Sequence, residues 1–239
     1  MIVMFRKFAS TSLLVAAVLA LSAAGRAQDF TIQPSPALSS LNVPSALTDL
    51  LDPEGSRLVH NTNRGSSPVA DVWLVKTVPA VTPVDTSPDI LFNNIQVGTL
   101  VGLLQFLSPD AEDARDQKLK TGLYTLRYAQ IPQDGNHMGV SQYRDFLLLS
   151  PLSADTQVDK VLSFDDLVAL SRKAAGTGHP AVMSLVSPNP AYKKLPAVVA
   201  DDQGNCSIQV DLHEKSTGGA KETALALMLV TAPKEEGGS

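Results

Sequence analysis

From Val69 onward the chain is a succession of short apolar runs separated by Gly, Pro, Asn, Asp and Ser. Runs of this length bounded by turn formers are the signature of strands. They predict strands over Val72–Val78, Thr99–Leu107, Leu123–Gln130, Asp145–Ser150, Ala181–Ser187, Ala197–Ala200, Cys206–His213 and Thr223–Thr231. That set suffices for an all-β domain, a two-sheet antiparallel β-sandwich.

Several runs also carry face information. In Gly122–Tyr128 the even positions hold Tyr124, Leu126 and Tyr128, which therefore face the core, with Thr125 and Arg127 turned away from it. Phe146-Leu147-Leu148-Leu149 shows no alternation, as expected of a strand buried on both faces, either central or covered by a helix or by the N-terminal segment. Asp202-Gln203-Gly204-Asn205 is dense in turn formers and predicts a hairpin between Ala197–Ala200 and Cys206–His213.

One helix is predicted among the strands. Ser163 suits its N-cap, Asp165 and Asp166 its first turn, Arg172 and Lys173 its last, and Gly176 its stop. Phe164, Leu167, Val168 and Ser171 form a narrow stripe, so the helix should lie on the surface of the sandwich.

The remaining organisation follows from texture. Residues 28–66 are rich in Ser, Pro and Asn and predict an extended, loosely packed arm before a sandwich domain over 67–232, and the glycine-rich tail 233–239 predicts disorder. In residues 1–27, Arg6 and Lys7 precede an apolar run from Leu13 to Leu21 and a small-residue ending, the pattern of a cleaved secretory signal peptide. The apolar core is shorter than the roughly 20 residues that cross a bilayer. A retained anchor is the alternative reading of the same leader. Cleavage implies a periplasmic or secreted protein beginning near Gln28.

Losing the leader removes Arg6, Lys7 and Arg26, and the formal charge moves from −5 to −8. Net acidity without basic runs argues against nucleic acid and anionic membrane as partners. The single cysteine, Cys206, can form no internal disulfide, so the core must hold the chain together.

The Gly122-Leu123-Tyr124-Thr125-Leu126 stretch resembles a family of exported bacterial proteins of unassigned chemistry that share a Gly-x-Tyr-x-Leu strand, a loop and a second apolar strand. The match covers Lys120 to Ser150. It departs from that outline at Tyr143-Arg144-Asp145, where a tryptophan opens the second strand of the family. The resemblance implies a β-sandwich-like fold and no activity.

Catalytic signatures are missing. There is no Gly-x-Ser-x-Gly elbow, His213-Glu214 lacks the second histidine of a zincin, and Gly176-Thr177-Gly178 follows a helix instead of opening one. Cys206, His213 and Met228 fall in the order of a blue-copper site, but strand parity puts Cys206 inward with Ile208 and Val210 and His213 on the opposite face. Asp110, Glu112, Asp113 and Asp116 match no calcium loop, and Ser108-Pro109-Asp110 reads as a helix start with these acids in its solvated first turn.

The best place for a site is the connection from Ile131 to Tyr143, longer than an ordinary hairpin loop and carrying Asp134, Asn136 and His137. Arg144 follows it directly. A helix of some dozen residues spans about 20 Å, enough to carry the chain back and place His179 at the same end as His137. The leading expectation is a non-catalytic binding or structural module of the cell envelope, without cofactor, whose ligand residues are Asp134, Asn136, His137, Arg144 and His179. Its partner would be an envelope protein, a glycan or a small ligand. The alternative is a protein holding zinc or copper through Asp134, His137 and His179.

Overall fold

The computed structural model describes residues 29–83, 85–135 and 141–231. The leader, the tail 233–239 and the loop residues Asn136 and His137 lie outside these. Among the described residues eleven strands form one sheet: β1 (Phe30–Pro34), β2 (Ser56–Thr62), β3 (Gly65–Leu74), β4 (Val78–Pro79), β5 (Leu100–Phe106), β6 (Gly122–Gln130), β7 (Asp145–Pro151), β8 (Ala181–Val186), β9 (Ala197–Ala200), β10 (Cys206–Ser216) and β11 (Gly219–Val230). Their order is β1-β2-β3-β5-β6-β7-β8-β11-β10-β4, with β9 also on β10. All pairs are antiparallel except β4 with β10. β1 approaches β9 from the far end of this path. The sheet therefore curls into a nearly closed barrel, where the sequence predicts two separate sheets.

The C-terminal strands match their predicted positions. β9 and β10 form the predicted hairpin, closed by the Asp201 carboxylate, which accepts from the Gln203 and Asn205 backbone N–H at 3.0 and 2.8 Å. Cys206, Ile208 and Leu212 on β10 are fully buried, as parity requires. The helix α2 (Phe164–Ala175) has its predicted caps: Ser163 Oγ accepts from the Asp166 N–H at 3.2 Å, and Gly176 is left-handed at φ 66°. It follows a single turn, α1 (Ser45–Thr48). β7 is buried on both faces because Leu147 and Leu149 enter the barrel core while Phe146 and Leu148 pack beneath α2 with Leu162 and Leu167.

Three further expectations change. The stretch 28–66 is not a loose arm: it supplies β1 and β2, and buries Leu38, Leu47, Leu51 and Leu58. β2 has only Leu58 and Val59 as its apolar centre; its remaining hold comes from pairing, with Phe30 stacked on His60 at 4.7 Å and Arg57 bidentate to buried Asp71 of β3. The second change concerns β6. Tyr124, Leu126 and Tyr128 are buried as predicted, yet Thr125 and Arg127 on the opposite face are buried as well. A connector over 152–163 covers them. Thirdly, no helix begins at Ser108. The segment 107–121 is irregular, and Asp113 is buried, not solvated.

Candidate functional site

The connection between β6 and β7 has its ends tied together. Gln130 pairs with Asp145, the Ile131 N–H donates to the Arg144 carbonyl at 2.8 Å, and Arg144 Nε donates to the Ile131 carbonyl at 3.1 Å. Arg144 Nη1 also donates to Asp85 at 2.9 Å. Hydrogen bonds from Ser87, and then from Arg144, hold the Asp85 carboxyl below its usual range. Arg144 is thus committed to joining this loop to the segment before β5.

Asp145 serves the same joint. Its carboxylate is buried and accepts from the Leu91 and Phe92 N–H groups at 2.7 and 3.0 Å and from the Tyr128 hydroxyl at 2.7 Å. Burial, with the Asp145 carboxylate beside it, drives the Tyr128 hydroxyl far above its ordinary range, so it stays a donor.

A cleft of about 590 Å³ opens beside this joint, over the outer face of β7 and β8. The pairing explains its place. β8 pairs β7 through Ala181–Ser184 but meets β11 only at Leu185 and Val186, so the sheet changes partner along one strand. Phe146, Leu148 and Val182 line the cleft from the sheet, and Phe164 and Val168 line it from α2. Ser171 Oγ fixes that helix by donating to the Ala181 carbonyl and accepting from the Ala181 N–H, both at 3.0 Å.

The charged lining of the cleft comes from Arg115, Arg172 and His179, all exposed, and from the buried, fully engaged Asp145. Neither the Arg115 nor the Arg172 guanidinium has a hydrogen-bond or ion-pair partner among the described residues. Arg115 is presented by buried Asp113, whose carboxylate accepts from the Arg115, Gln117 and Val182 N–H groups at 2.9, 2.9 and 3.0 Å and from Gln117 Nε2 at 2.7 Å. Asp113 thereby staples the 107–121 segment to the start of β8. A neighbouring, more polar cleft of about 520 Å³ shares Ser141 and Ser184 with the first and runs toward Asp201 and Asp202 of the β9–β10 turn.

The predicted site residues are therefore only partly brought together. His179 lines the same cleft as Ile131 and Pro132, where the long loop begins, and as Ser141 near its end. Asp134 is exposed on that loop. Arg144 sits beneath it with its guanidinium occupied. Sequence reading missed Arg115 and Arg172 as rim residues, because Arg115 stands among the acids Asp110, Glu112, Asp113 and Asp116 and Arg172 reads as a helix-dipole partner. Only the fold brings them to one cleft, Arg172 on α2 and Arg115 through the Asp113 bond to Val182.

Cys206 is buried inside the barrel and His213 stands on the opposite face of β10, 3.6 Å from Glu222. Among the described residues, no three His, Cys, Asp or Glu side chains gather as metal ligands, and no helix is long and apolar enough to cross a membrane. Comparison with family models, curated proteins and solved structures yields no match for this chain.

Proposed function

We propose that the protein is an exported, non-catalytic binding module that holds a small ligand in the cleft between α2 and the outer face of β7 and β8. The observation that carries this reading is the cleft itself. Its volume of about 590 Å³ falls within the roughly 300–1,000 Å³ of small-molecule sites, and a mostly apolar lining with a few polar groups at the edge is their usual composition. The leader over 1–27 supports export, and the Gly122–Leu126 strand supports kinship with other exported proteins.

The test is to load purified protein with a small-molecule extract of its source cells and identify what is released on denaturation. One compound in near-stoichiometric amount is expected, together with its loss in Ser184→Phe, which narrows the junction of the two clefts, at an unchanged melting temperature. No retained compound, or retention unaffected by Ser184→Phe, contradicts the reading. N-terminal sequencing of protein from the same cells should begin near Gln28; an intact Met1 on membrane-bound material contradicts export by a cleaved leader.

The second reading is a zinc or copper site using Asp134, His137 and His179. Its support is the place of His179 in the same cleft as the base of the loop that carries the other two. It predicts a metal-dependent rise in melting temperature, with about 2.7 kcal/mol of stabilisation at a hundred times the dissociation constant, abolished by His179→Ala.

A further inference from the structure

The rim of the α2 cleft narrows the class of ligand. The chain holds 24 acidic and 19 basic residues, yet the exposed charges lining this cleft are Arg115, Arg172 and His179, all basic or protonatable. Among the described residues the one carboxylate in the lining, Asp145, is buried and accepts three hydrogen bonds, so its oxygens are already engaged and do not pair with the rim arginines. Two guanidinium groups without partners among the described residues, held on separate elements above one apolar floor, present planar two-donor forks to a carboxylate. The accessible floor of Ile131, Val182 and the edge of Phe146, walled by Phe164 and Val168, supplies no hydrogen-bonding side chain and so favours an apolar body.

Resting on the binding-module reading, we infer that the ligand is a small amphipathic carboxylate: its apolar body lies on Ile131, Phe146 and Val182, and its head meets Arg115 and Arg172 at the rim. Both arginines are anchored for this. Arg172 stands on a helix fixed to β8 through Ser171, and Arg115 on a segment fixed to the same strand through Asp113. The backbone that carries each arginine is thus attached to the same strand.

Octanoate and octanol, which share a body and differ in the head, test this by calorimetric titration. Octanoate should bind the parent protein with a dissociation constant of about 1 mM or tighter and at least about tenfold more tightly than octanol. Arg172→Gln and Arg115→Gln should each weaken octanoate by about fivefold or more and leave octanol unchanged, while Arg64→Gln, an exposed arginine remote from the cleft, should alter neither. Equal binding of the two compounds, insensitive to both rim variants, overturns the carboxylate assignment and leaves the binding-module reading standing. Binding of neither compound also overturns it, and if no extract compound is retained either, the binding-module reading falls with it.

Discussion

Arg127 and Arg172 are the same side chain put to opposite uses on two elements of the same fold. Arg127, fully buried on β6, donates from Nε and Nη2 to Asp155 at 2.7 and 3.0 Å, and from its terminal nitrogens to the carbonyls of Gly98, Lys160 and Gln157 at 2.8, 2.7 and 2.9 Å. Every direction of its fork is occupied. Arg172, exposed at the end of α2, donates to nothing among the described residues. A buried guanidinium must be saturated because its desolvation is otherwise uncompensated, whereas a solvated one can wait for a ligand at little cost. The first holds the connector that leads into α2; the second stands at the other end of that helix, over the cleft. Gly98 shows how tight the first region is: at φ 92° it lies where a Cβ would come within 1.9 Å of the Leu162 carbonyl oxygen.

The largest effect should come from breaking the saturated site. Arg127→Met is expected to cost about 3–5 kcal/mol, since it leaves Asp155 buried and unpaired, read as a shift in urea midpoint. Adding Asp155→Leu should restore part of the loss but not all, because the three carbonyls still lack their donor; full recovery would reduce Arg127 to a charge partner alone. Thr125→Ala should cost about 2 kcal/mol, the range for a hydrogen bond to a charged group, because its hydroxyl donates to Asp155 at 2.7 Å. A loss as small as that of an exposed threonine would contradict the buried polar face of β6.

Acid sharpens the same contrast. Burial raises the Asp155 carboxyl, but hydrogen bonds from Arg127 and Thr125 and the charge of Arg127 outweigh it, so the group lies below its ordinary 3.8. A carboxyl depressed in the folded state stabilises above its unfolded value, and that contribution disappears as pH falls through the folded one. The stability gap between the parent and Asp155→Asn should therefore be full at pH 7 and narrow only below about 3.8. A gap constant down to that acidity and beyond would sink the ion-pair account. The smallest effect belongs to the open site: Arg115→Gln, Arg172→Gln and His179→Ala should each change stability by no more than about 0.5 kcal/mol.

Local signals in the sequence reached as far as their causes are local. The α2 caps depend on Ser163, Asp166 and Gly176 alone, and the β9–β10 turn on Asp201–Asn205, so both could be read directly. The alternation in β6 showed the inner face but concealed the outer one, where burial is polar and comes from the 152–163 connector. β1 and β2 escaped for the same reason, being held by the Arg57–Asp71 pair and the Phe30–His60 stack instead of by apolar runs. Asp113 looked like a solvated acid because its four donors include Val182, far along the chain. The cleft has no signal of its own; of its rim, His179 alone was legible, through the return path of the helix.

The most direct measurement is a crystal structure grown with 8-bromooctanoate, whose heavy atom marks the apolar end. The account predicts bromine over Ile131, Phe146 and Val182, and carboxylate oxygens about 3 Å from the Arg115 or Arg172 guanidinium. Bromine in the polar cleft near Asp201, or a carboxylate directed away from both arginines, would contradict it.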